Sequence, residues 1–202
     1  MKRYRLSLVS NLILLLLEIC GFILLSNGSN SFSLLLYTED SNLLCALTSI
    51  LFIFAYIFNN NHTLVRITKI MRYVVTLGLT LTFLVAMFIL PKLTSYNVFE
   101  MMINNEFLFF HTLCPLVSTM SFLFFEDYSV TSFESRLVPL ATVIYGAIVL
   151  LLNIFKLIEG PYPFFMLYNN GVWYTTIYMI IITSSGYLMS FLLGKMKLFA
   201  YE

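Results

Sequence analysis

Charge is what this sequence has least of. Of its 202 residues only 10% are Asp, Glu, Lys or Arg, against roughly 25% in soluble domains. With 60% of the chain hydrophobic, a soluble domain could not hide so much apolar surface. Eleven basic and ten acidic residues leave a net charge of +1, which argues against a nucleic-acid partner. The cysteines, Cys20, Cys45 and Cys114, are odd in number and all lie in apolar stretches. No disulfide framework is expected from them, and packing as small hydrophobes is their simplest use. His111 and Cys114 are three apart, but no CxxC or HxxxH pair accompanies them, so no metal site is expected, and no cofactor. There is no internal repeat, no low-complexity tract, no GxxxG motif to indicate an oligomeric state, and no connecting segment long enough for a soluble domain.

What the chain has instead is apolar blocks of about 20 residues, each enough to cross roughly 30 Å of hydrocarbon at about 1.5 Å per residue. The pattern predicts an all-α, polytopic membrane protein, one six-helix domain over residues 1–202. The expected spans are 6–25, 32–58, 71–90, 105–125, 137–157 and 172–193. The first begins with "MKRYR" but has no small-residue cleavage site after it, so it is read as a retained anchor rather than a signal peptide. Nine basic residues fall on one side of this arrangement: Lys2, Arg3, Arg5, Arg66, Lys69, Arg72, Arg136, Lys195 and Lys197. Two, Lys92 and Lys156, fall on the other. By the positive-inside rule both termini are expected in the cytoplasm. The glycosylation-like "NGS" at Asn27 and "NHT" at Asn61 are discounted, the first for lying against the membrane and the second for its cytoplasmic side.

Polar residues inside the spans then become informative. Thr38, Ser41, Cys45 and Thr48 recur at spacings of three and four, forming one stripe on a helix with Asn42 beside it. Glu39 and Asp40 are expected at the rim of a wet pocket, on a helix that starts near Phe32. His111 lies roughly 9 Å, and Glu18 roughly 10 Å, from the outer ends of their spans. Asn153, Lys156, Trp173, Tyr174, Thr175 and Thr176 also lie toward that side. Serines, threonines and asparagines in membrane helices mostly bond backbone carbonyls or neighbouring helices. A buried Glu or His usually faces a cavity or a partner.

Three short motifs add a resemblance. "YTEDSNLL" (Tyr37 to Leu44) resembles the aromatic-Thr-x-x-Ser-Asn-Leu pattern of the bacterial Pr6Pr membrane family. "HTLCP" (His111 to Pro115) resembles its His-x-x-x-Pro, and "EGPYPFF" (Glu159 to Phe165) is similar to its Gly-x-Tyr-Pro-Phe. The plan extends to the eukaryotic androgen-induced and androgen-dependent membrane proteins, intramembrane hydrolases of fatty acid esters of hydroxy fatty acids. The resemblance implies a threonine nucleophile at Thr38, a histidine at His111, a lipid or fatty-acyl ester as substrate, and a multi-pass membrane location, the cell membrane if the source is bacterial.

A threonine hydroxyl needs a base within reach, and a histidine can take and return its proton. Ser41 and Asn42 are candidate oxyanion donors, and Glu18 is a candidate for orienting the imidazole. Tyr162, Phe164 and Trp173 are expected as interfacial rim residues lining lipid access, with no chemistry assigned. A different class stays open: a small transporter or lipid-binding protein with a polar pocket and no chemistry, in which Glu18, His111 and Lys156 relay protons. A helper subunit without a site of its own is the third.

Overall fold

The computed structural model describes residues 2–28, 32–57, 62–127 and 129–199. Asn61, Phe58 and the side chains of Lys2 and Arg3 lie outside the described residues. No strand occurs among the described residues, and six helical segments are long and apolar enough to cross a membrane: Arg5–Asn27, Tyr37–Ile57, Thr63–Phe88, Asn105–Phe125, Ser132–Ile154 and Val172–Lys197. This is an integral, multi-pass membrane protein. An even number of crossings brings Arg5 and Lys197 to one end of the bundle, here the proximal end. Thr38 and His111 belong near the distal end.

The second span begins at Tyr37 rather than at Phe32. Ahead of it, Leu34 and Leu35 form a turn, held because the Ser33 N–H donates to the Glu39 carboxylate at 2.5 Å and the Tyr145 hydroxyl donates to the Leu35 carbonyl at 2.6 Å. The apolar residues 34–36 therefore turn instead of extending the helix, which puts Thr38 in its first turn. The third and fifth spans start several residues earlier than their hydropathy suggests. The fifth is initiated by a capping box in which Thr131 and Glu134 satisfy each other's backbone N–H groups.

The fourth span covers the expected residues but is not a uniform α-helix. It carries π-helical turns at Leu108–Leu113 and Ser121–Phe125. Pro115 explains the first. It has no N–H to give the His111 carbonyl, and its ring would clash with that carbonyl in a regular helix. The chain widens by one residue, and the Cys114 N–H bonds to Phe109 O instead. A short helix, Val98–Ile103, is started by an Asn97–Glu100 capping box and folds back over this widened turn. Asn105 takes a left-handed conformation (φ 44°) where the chain reverses into the fourth span. Gly21 lets the first span approach closely, since a Cβ there would stand 2.5 Å from the Phe110 ring.

The proximal half is more polar inside than its sequence suggests. Arg72 is fully buried, its Nε donating to Glu126 at 2.9 Å and its Nη2 to Ser118 at 3.2 Å. Ser121 also donates to Glu126, and the buried Lys197 ammonium caps the carbonyls of Phe122 and Glu126 at the end of the fourth span. Two of the nine basic residues counted for topology are thus structural locks between helices rather than surface charge.

Candidate functional site

At the distal end a chamber of about 480 Å³ is walled by Thr38, Glu39, Glu106, Phe107, His111 and Tyr162, among others. It is assembled from the start of the second span, the Val98–Ile103 helix with the outer part of the fourth span, and the loop between the fifth and sixth. Thr38 meets Tyr162 directly. The Thr38 N–H donates to the Tyr162 phenol oxygen at 3.2 Å, and the Thr38 hydroxyl lies 3.4 Å from the same oxygen. Because that oxygen accepts the N–H, the phenol's own proton can go to the Thr38 hydroxyl or to a bound ligand. Burial pushes the Tyr162 phenol above its usual pKa, with the bonds from Thr38 opposing it, so the group stays a donor at neutral pH.

This is not the rim position expected for Tyr162. The residue is 8% exposed and stacks on buried Phe164 at 5.1 Å, which stacks on Tyr178 at 5.9 Å. The loop that carries it depends on Gly160 (φ 92°), where a Cβ would lie 2.7 Å from the Phe165 carbonyl oxygen. Asn153 fastens the same loop, donating to Ile158 O and accepting from the Leu167 N–H. Trp173, grouped with these aromatics in the sequence reading, is 82% exposed and takes no part in the chamber wall. The signal for Tyr162 was its setting, an aromatic between two prolines behind a glycine, which fixes a ring too rigidly for a mere interfacial anchor.

His111 sits in the π turn, 3% exposed. Its Nδ1 lies 2.6 Å from the Met101 carbonyl of the folded-back helix. A carbonyl only accepts, so Nδ1 carries a proton and, in the neutral ring, Nε2 is the basic nitrogen. The ring stacks on Phe107 at 4.9 Å and 8°, and the neighbouring Thr112 hydroxyl donates to Met102 O at 2.6 Å. Thr38 and His111 line one chamber, and no hydrogen bond joins them.

The supporting residues have other work. Ser41 bonds the Thr38 carbonyl at 3.0 Å and lies 3.2 Å from the Thr82 hydroxyl. Asn42 Nδ2 donates to the Thr38 carbonyl at 2.7 Å and reaches Phe110 O at 3.5 Å. Their donors are engaged with backbone and neighbouring spans, so the pair holds Thr38 in place instead of awaiting an oxyanion. Glu18 is fully buried and outside the chamber wall. The thiols of Cys45 and Cys114 face its carboxyl, with Arg72 the nearby cation. The imidazole is oriented by the Met101 carbonyl, not by Glu18, and the carboxyls that share its chamber are Glu39 and Glu106. Among the described residues no three His, Cys, Asp or Glu side chains form a group able to hold a metal ion.

No protein-family model matches the chain, and neither a curated protein nor a solved structure matches it.

Proposed function

We propose that this chain is an intramembrane hydrolase of lipid or fatty-acyl esters, with Thr38 as nucleophile and His111 as base. The observation that carries the reading is a single chamber walled by a threonine hydroxyl, a phenol that touches it, and a histidine whose Nδ1 is committed to a carbonyl. The three segments that resemble the Pr6Pr family each supply one of these residues. In the reaction, Thr38 Oγ1 attacks the ester carbonyl carbon while its proton passes to His111 Nε2. The Tyr162 O–H donates to the carbonyl oxygen as it becomes an oxyanion. Collapse expels the alkoxide, which takes the proton back from His111. Water, activated by the same nitrogen, then releases the fatty acid from Thr38.

The missing Thr38–His111 hydrogen bond favours a second reading, a lipid-binding or transport protein with no chemistry. Its proton relay has little support, because Glu18 lies apart and exposed Lys156 lies over the Tyr168 ring, 4.8 Å from its centroid. A hydroxyl-directed fluorophosphonate separates the two. The hydrolase reading expects an adduct that peptide mapping places on Thr38 and that is lost in His111→Ala. Folded wild-type protein left unmodified at Thr38 would move the second reading to the front.

A further inference from the structure

Thr38 lines two cavities. Besides the chamber, Thr38, Leu90 and Tyr162 also wall a narrow apolar slot whose other walls include Tyr145, Gly146, Phe165, Met179 and Thr183. Met179 and Thr183 are in turn the inner wall of a groove of about 510 Å³ between the fifth and sixth spans. Ile154, Val172 and Ile180 in that groove are exposed apolar side chains, so in a membrane-spanning bundle the groove faces hydrocarbon chains. The slot holds only about 50 Å³, a few water-sized spheres by the measure in which one needs roughly 10–15 Å³. A few methylenes in single file suit so small a space better than a ring or a branch. At the narrowing, a Cβ on Gly146 would lie 2.8 Å from Met179 Cε.

We propose that a single acyl chain occupies this slot, its carbonyl at Thr38 and its tail running past a Met179–Gly146 gate toward the lipid-facing groove between the fifth and sixth spans. The assignment of the carbonyl to Thr38 rests on the hydrolase reading; the acyl path itself does not. Methionine suits a gate, since its unbranched, flexible side chain repacks around whatever passes, and glycine opposite it leaves the room. The alcohol half of the ester then lies in the polar chamber with His111. The slot makes the site selective for unbranched chains.

The path is testable without turnover. A long-chain fatty acid carrying a diazirine close to its carboxyl group is photolysed with Thr38→Ala protein in nanodiscs, and adducts are mapped. The expected adducts fall on Tyr145, Gly146 or Phe165, which wall the slot and not the groove, and are suppressed by unlabelled straight-chain fatty acid but not by a chain methyl-branched near the carboxyl. Gly146→Leu should abolish them, and Met179→Ala, a smaller residue that leaves the fold less challenged, should increase them and admit the branched competitor. Adducts confined to the lipid-facing groove, or unchanged in both variants, would overturn the path. Slot adducts on a protein that shows no Thr38-dependent hydrolysis would uphold the path and defeat the hydrolase reading alone.

Discussion

At the scale of single residues, the chamber brings together three side chains with separate duties. In the proposed reaction Thr38 would supply an oxygen, His111 a lone pair, and Tyr162 a proton that burial keeps in place. Tyr162→Phe leaves the ring stack and removes only the hydroxyl. Loss of one oxyanion donor costs on the order of 10²–10³-fold in kcat, so that loss is expected for ester hydrolysis with KM little changed. The same phenol predicts an alkaline effect on stability. Its pKa is raised in the folded chain, so the stability tied to its protonated form is fully present below about pH 10, the ordinary tyrosine value, and is lost as pH rises through the raised one. Thermal melts should therefore show wild type losing more Tm than Tyr162→Phe as pH is taken above about 10.

At the scale of elements, the fourth span matters most, because its widened turn sets where His111 points. Pro115→Ala restores the missing N–H and permits a regular helix, which removes the reason for the π turn. The variant should melt no lower than wild type while losing most hydrolysis, since His111 would rotate away from the Met101 carbonyl. A low melt with retained specific activity would mean that Pro115 serves packing alone. Much of this element was readable beforehand. Its limits, Asn105 and Phe125, follow from hydropathy, and His111 and Pro115 at a spacing of four already implied a broken carbonyl contact. Other features were hidden. Glu18 and His111 have similar depths, but depth says nothing of the direction a side chain takes around its helix, and Glu18 turns to Cys45 and Cys114 instead. The start of the second span was misplaced because "LLLY" is apolar enough for helix, while the Glu39 bond that turns the chain spans six residues and leaves no periodic trace. Tyr162 reads as interfacial because the contact that places its hydroxyl is to Thr38, 124 residues away in sequence.

At the scale of the whole molecule, polar groups are divided between two ends: a chamber at the distal end and an ionic lock at the proximal one. Arg72→Leu removes the guanidinium from its buried ion pair with Glu126. Breaking a buried pair from one side costs roughly 3–5 kcal/mol, so the variant should purify poorly or melt far lower. Activity per folded molecule should be preserved, since the lock stands away from the chamber. Orientation is a separate matter. Without buried Arg72 and Lys197, the basic residues divide seven to two, which still predicts cytoplasmic termini. A cysteine at exposed Tyr96 should react with an impermeant maleimide outside intact cells; protection there, with reaction only after lysis, would invert the protein.

The central claim is that Thr38 and His111 act as one unit on an ester. The direct measurement is hydrolysis of a straight-chain lipid ester by purified wild type, Thr38→Ala, His111→Ala and the double variant in nanodiscs, with folding checked by melting. The account predicts that Thr38→Ala abolishes turnover, that His111→Ala lowers it by about 10²–10⁴-fold, and that the double variant is no worse than Thr38→Ala, because members of one catalytic unit do not add. Wild-type turnover surviving in Thr38→Ala would contradict it.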